Sequence, residues 1–166
     1  MLPRRAWETD FHYAARTGDL PTVLSALDEG LHPDKRDRRG STALLLAAQH
    51  GQVGVARLLL EHGAQVDSLM KWRFTALALA VMGRHTEVAL LLIESGADVN
   101  HVVAMEERSI FSLAAICGLY PVVEAMLRRG ADPGHRDAVG RTVLSYAREI
   151  EDADMVRLLV DAGAVE

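Results

Sequence analysis

Eight side chains of this 166-residue sequence have the chemistry of metal ligands, bases or nucleophiles: His12, His32, His50, His62, His85, His101, His135 and Cys117. A metal ion held on one helix needs ligands at i, i+3 or i+4, so that they project from the same face. No two of the histidines stand at that spacing. Several fall at the ends of repeating segments, where an imidazole is ordinarily a solvated helix terminus. A cysteine nucleophile needs a nearby base and an electropositive pocket, and the sequence around Cys117 indicates neither. It precedes Gly118, which places it near the end of a helix as a partly buried structural thiol. A lone cysteine also excludes an internal disulfide and a cysteine-rich zinc site. The phosphate-binding glycine loops, the H-E-x-x-H zinc motif and the G-x-S-x-G nucleophile elbow are absent. Acidic residues are plentiful, but paired carboxylates need a cleft to shift their pKa values. The expectation is a chain with no catalytic residues, no metal and no cofactor.

Composition narrows the classes further. The chain is 49% hydrophobic and 25% charged, a globular balance. Aromatics make up only 5%, so aliphatic and small residues must build the core. The net charge of −5 argues against a phosphate-coated partner. Cations are sixteen Arg and two Lys. No apolar run approaches the ~18 residues of a membrane span. Met1 to Asp10 carries two arginines with no apolar segment after them, unlike a secretory leader. These features predict a cytoplasmic chain with no membrane, nucleic-acid or small-molecule partner.

The elements that must position any site are set by internal repetition. Gly30, Gly63, Gly96, Gly130 and Gly163 are spaced 33, 33, 34 and 33 apart. Thr9, Thr42, Thr75, Ser109 and Thr142 keep the same spacings. A third column is Ala14-Ala15, Ala47-Ala48, Ala80-Val81, Ala114-Ala115 and Ala147-Arg148. Each column has a physical reading. The hydroxyl caps a helix N-terminus by accepting an orphan backbone N–H. The small pair lies mid-helix, where a neighbouring helix approaches closely. Gly18, Gly51 and Gly118 end that helix at a position suited to positive φ. A second helix with a dense apolar face follows, as in Val55 to Leu60, Val88 to Ile93, Val122 to Leu127 and Met155 to Val160. The 33-residue-column glycine closes it.

This pattern resembles the ankyrin repeat. Asp37-Arg38-Arg39-Gly40-Ser41-Thr42-Ala43-Leu44 matches the family opening and Ser95-Gly96-Ala97-Asp98-Val99-Asn100 its close. The resemblance covers residues 9–166. It implies an all-α repeat solenoid, a single domain of five helix-turn-helix repeats joined by β-hairpin finger loops. The repeats span 4–36 as N-terminal cap, 37–69, 70–103, 104–136 and 137–166 as C-terminal cap. The family proline after the threonine is replaced in every copy, by Asp10, Ala43, Ala76, Ile110 and Val143. The family histidine survives only as His12. Arg84 and Glu151 replace the glycine between helices, and repeat 4 carries one extra residue within Val102 to Arg108. Trp7 is expected to cover the first helix pair. Arg148, Glu149, Glu151, Asp152 and Asp154 give repeat 5 the polar outer face a terminal repeat needs.

The resemblance further implies binding of another protein on a concave surface made of finger tips and inner-helix ends. Carried over by register, that surface includes Arg38, Arg39, Gln49 and His50 from repeat 2, and Lys71, Trp72, Phe74 and Met82 from repeat 3. Repeat 4 adds Met105, Arg108 and Ile116, and repeat 5 adds Val139 and Arg141. The tips of repeats 3 and 4 are unusually apolar (Leu69, Met70, Trp72, Phe74, Val102, Val103, Met105). Leu69 and Val102 are expected to join the core. Trp72 and Phe74, two apart on an extended arm, point to one side and make the anchor, because aromatic residues are enriched at interfaces. The function this implies is that of a non-catalytic, monomeric binding module, serving as an adaptor or as an inhibitor of the immunity type. Two rivals are self-association through the apolar fingers and a cysteine-dependent activity at Cys117.

Overall fold

A computed structural model describes residues 9–70, 73–104 and 107–165. Among the described residues the chain forms ten α-helices in five pairs. These are α1 (Asp10–Thr17) with α2 (Leu20–Asp28), α3 (Ala43–Gln49) with α4 (Val53–Glu61), α5 (Ala76–Met82) with α6 (Thr86–Glu94), α7 (Ile110–Ile116) with α8 (Tyr120–Arg128), and α9 (Val143–Glu149) with α10 (Ala153–Asp161). Every pair starts alike. The hydroxyls of Thr9, Thr42, Thr75, Ser109 and Thr142 accept a backbone N–H three residues on, at 3.1–3.4 Å. Losing one such cap costs about 1 kcal/mol.

The inner helices α1, α3, α5, α7 and α9 stack in succession, and α2, α4, α6 and α8 form an outer layer. The small-residue column allows this. Ala14, Ala15, Ala47, Ala48, Ala80, Val81, Ala114, Ala115 and Ala147 are each at most 1% exposed. Val23, Leu59, Leu92, Met126 and Leu159 fill the space between layers at 0% exposure. Each buried aliphatic side chain of this size contributes about 1.5–3 kcal/mol. Where an outer helix ends, Gly30, Gly63, Gly96, Gly130 and Gly163 adopt φ of 81–89°. The next residue's N–H then reaches back to a carbonyl of the last turn, as in Leu31 to Ala26 at 3.0 Å and Ala131 to Met126 at 2.9 Å.

Between inner and outer helix the turn also needs positive φ. Gly18, Gly51 and Gly118 meet that need with φ of 83°, 70° and 66°. Arg84 and Glu151 are held there too, both at φ 57°, where an L side chain costs about 1–2 kcal/mol. Arg84→Gly and Glu151→Gly are each expected to stabilise the chain by about 0.5–1 kcal/mol, the strain relieved less glycine's extra backbone entropy. A rise in the urea midpoint checks this; an unchanged or lower midpoint contradicts it.

The finger loops differ from the hairpins expected. Among the described residues they hold no regular strand, only an isolated antiparallel bridge between Val102 and Ser109. Each loop is consumed by its turns. One backbone hydrogen bond closes each tip: Asp37 N–H to Ser41 at 2.9 Å, Met70 to Phe74 at 3.1 Å, Val103 to Arg108 at 3.0 Å and Asp137 to Arg141 at 3.0 Å. The third tip alone spans five positions rather than four, which places the extra residue of repeat 4 there. Neighbouring fingers are laced together at their bases. Asp34 accepts the Gln65 N–H at 3.0 Å, Asp67 that of Asp98 at 3.1 Å, and Asn100 that of Asp132 at 2.8 Å.

The finger packing corrects one expectation. Leu69 is 41% exposed and not a core residue. Val102 is half-buried, whereas Val103, 2% exposed, joins the core with Val99. The closing hydrogen bond at Val103 turns that side chain inward. The terminal repeat is polar outward as expected: Arg148, Glu149, Glu151 and Asp154 are exposed. Asp152 instead caps α10 through the Met155 N–H at 3.0 Å. Trp7 lies outside the described residues.

Candidate functional site

Finger tips and inner-helix ends meet on one face. The Arg141 guanidinium on the fourth finger lies 3.5 Å from the Glu149 carboxylate at the end of α9. Glu149 shares its register with Gln49, Met82 and Ile116, and Arg141 shares its register with Ser41, Phe74 and Arg108. The two columns therefore run side by side along the stack, on the face where a groove is expected, although Ser41 itself is buried.

The residues assigned to that groove by register differ in what they offer. Arg38, Arg39 and Gln49 are exposed, and His50 is half-buried as the C-cap of α3. Met82 is 49% exposed and Val139 is 68% exposed. Ile116 is half-buried. Phe74 is half-buried and packs against the core, so its ring supports the stack as well as the groove. Lys71, Trp72 and Met105 lie outside the described residues. Ile150, 47% exposed just beyond α9, adds apolar surface at the C-terminal end.

A charged cluster occupies that end. Tyr146 is buried in α9, and two guanidiniums stack on its ring, Arg141 at 4.4 Å and Arg108 at 4.8 Å from the centroid. The Tyr146 hydroxyl donates to Asp137. Asp137 also accepts the N–H groups of Val139 at 3.0 Å and Arg141 at 2.9 Å. Burial pushes the Asp137 carboxyl up, but the Tyr146 hydroxyl, the two backbone donors and the Arg141 charge outweigh it and hold the pKa at about 2. Burial and the Asp137 carboxylate push the Tyr146 phenol up. The depressed carboxyl contributes stability that is present above its ordinary pKa of 3.8 and is lost as pH falls through about 2. Asp137→Asn is therefore expected to lower stability at pH 6 by about 1–3 kcal/mol. The gap to the native chain should close between pH 4 and pH 2. Thermal melts across that range check this; a gap that stays constant contradicts it.

The first finger carries the same aspartate without the same partners. Asp37 accepts the N–H groups of Arg39 at 2.8 Å and Ser41 at 2.9 Å through Oδ1. Its Oδ2 is buried and accepts no hydrogen bond. Leu46 and Ser41 stand where Tyr146 and Arg141 complete Asp137.

Four of the seven histidines prove to be long-range pins, a role the sequence does not announce. His101 Nε2 bonds to the Arg73 carbonyl at 2.7 Å, and His135 Nε2 to the Glu107 carbonyl at 2.9 Å. Arg73 and Glu107 are the tips held at positive φ (60° and 50°) where the first and fourth fingers have Gly40 and Gly140. A histidine at the base of the following finger thus grips each tip that lacks glycine. His85 does the same for the Gln49 carbonyl at 3.2 Å. His12, fully buried, joins Thr9 to the Lys35 carbonyl. The shared register of His101 and His135 is the one sequence signal for this.

Among the described residues no group of three His, Cys, Asp or Glu converges as metal ligands. Cys117 is half-buried against the core as the C-cap of α7. No helix among the described residues is long and apolar enough to cross a membrane. On the outer layer, shallow depressions lie between α4 and α6, lined by Arg57, Leu60, Glu61 and Leu91, and between α6 and α8, lined by Leu90, Glu94, Pro121 and Arg128.

Comparison with known families gives one match. A family model described as ankyrin repeats, three copies, matches residues 11–102. That span takes in α1 to α6, and α7 to α10 repeat the same caps and turns beyond it. A search of the curated proteins finds no match.

Proposed function

The chain belongs to the ankyrin-repeat family, whose members are generally protein–protein interaction modules. From that premise we propose that it is a non-catalytic, monomeric, cytoplasmic adaptor or inhibitor that takes up a partner protein in the groove of finger tips and inner-helix ends. The reading needs no cofactor and no nucleic-acid, membrane or small-molecule partner. The observation that carries it is the pair of large apolar side chains left open along the groove, Met82 at 49% and Val139 at 68% exposure. Gln49 shares the register of Met82 and Arg39 that of Val139, with Arg38 and Arg141 beside them on the same fingers. Exposed apolar side chains within a polar rim are the usual composition of a recognition surface.

A photo-crosslinking amino acid placed at Met82 or Val139 in the source cells tests the reading. Both positions are expected to capture the same protein. The same group at Leu24 on α2 or Val160 on α10, also exposed, is expected to capture none of it. Capture from Leu24 and Val160 but not from Met82 and Val139 would place the interface on the outer helices and overturn the proposal.

A further inference from the structure

We infer that the first finger, residues 32–41, is the docking element for an acidic protein segment carrying an apolar anchor. This rests on the groove reading above and names the chemistry of the partner. The finger holds Lys35, Arg36, Arg38 and Arg39 against Asp34 and Asp37, a local charge of +2 on a chain whose total is −5. The structure separates the two signs. All four cations are exposed. Both acids turn to backbone amides: Asp34 to the Gln65 N–H, and Asp37, 7% exposed, to those of Arg39 and Ser41. The finger therefore shows its cations outward and turns its acids to backbone amides.

The fourth finger, built on the same turn, does not. There Arg136 and Arg141 are matched by Asp132 and Asp137, a local charge of zero, and Arg141 lies 3.5 Å from both Asp137 and Glu149. In the third finger Arg108 lies over Tyr146 and Glu107 is exposed. The excess of positive charge is thus greatest at the first finger, and the exposed Arg73 continues it onto the second. Beside it stands the apolar component. Arg36 Nη1 donates to the Gly40 carbonyl at 2.5 Å and to the Leu69 carbonyl at 2.9 Å. That bond fixes Leu69, 41% exposed, next to the cations. Carboxylates facing the arginines and an aliphatic side chain on Leu69 complete this surface. A nucleic acid fits it less well: phosphate backbones need a basic stripe, and the rest of the chain carries the compensating negative charge.

The test uses a fluorescein-labelled Glu-rich peptide with one central leucine, its Gln-for-Glu counterpart and a single-stranded DNA oligonucleotide, titrated onto the full chain at low salt. The Glu-rich peptide is expected to bind. The Arg38→Glu/Arg39→Glu variant should bind it at least about ten-fold more weakly, because two attractions become repulsions. Raising salt to 0.3 M should weaken it further. Arg157→Glu, an exposed change on α10, should leave binding unaltered, and circular dichroism checks that each variant is folded. No binding at low salt, equal binding of the Gln peptide, or indifference to the Arg38/Arg39 reversal overturns the assignment. Tighter binding of the oligonucleotide overturns it in favour of a nucleic-acid surface. Crosslinks from Met82 that persist while the peptide fails leave the groove reading standing; a peptide that binds while Met82 and Val139 capture nothing leaves only the finger.

Discussion

Phe111→Ala is expected to cost about 3–5 kcal/mol, the usual penalty for emptying a buried aromatic site. Phe111 is 1% exposed and belongs to a column with Phe11, Leu44, Leu77 and Leu144, each at most 4% exposed. It is the inner-helix side chain of repeat 4 that reaches between layers. A loss of that size is a large part of the 5–15 kcal/mol that holds a domain together. Contacts in the stack are with nearest neighbours, so the damage should be regional. Residues 109–161 should lose amide protection at lower denaturant than residues 10–61. One unshifted cooperative transition would show that Phe111 does not bear the stack.

The second large effect concerns the C-terminal cap. Ending the chain after residue 134 removes Tyr146, Asp137 and Arg141, which hold the third finger through Arg108. It also removes Asp152, which accepts the Tyr120 hydroxyl at 2.5 Å and ties α8 to the last repeat. That bond holds the Tyr120 phenol up at about 12. With α9 gone, the apolar flank of α7 faces water. Repeat 4 should then fray rather than stand as a new end, and amide protection over residues 109–130 should fall at least about 100-fold. Native-like protection there would contradict the role given to repeat 5.

What was legible in the sequence was what recurs in register. The Thr/Ser caps, the small-residue column and the closing glycines are each set by local backbone chemistry, and five copies made them readable. The substituted turn positions were legible as well, since Arg84 and Glu151 kept the positive φ of the glycines they replace. Contacts between repeats were not. Tyr146 departs from the leucines at Leu46, Leu79 and Leu113, yet nothing local announces that it joins Arg108 of one finger to Asp137 of the next. The histidine pins escaped for the same reason. Leu69 and Val102 are expected in the core, and Val103 lies there instead, because the closing hydrogen bond of a tip, together with the extra residue in repeat 4, decides which side chain turns inward. Arg38 and Arg39 were visible as a basic pair, but the inward turn of Asp34 and Asp37 that leaves the finger cationic is a matter of geometry.

The central claim is that a partner protein lies in the groove and not on the outer helices. Hydrogen exchange of the chain alone and in complex with the crosslinked partner tests it most directly. Added protection is expected at the finger tips and at the ends of α3, α5 and α9, with α2, α4 and α6 unchanged. Added protection on those outer helices, with none at Arg38–Ser41 or Val139–Arg141, would contradict it.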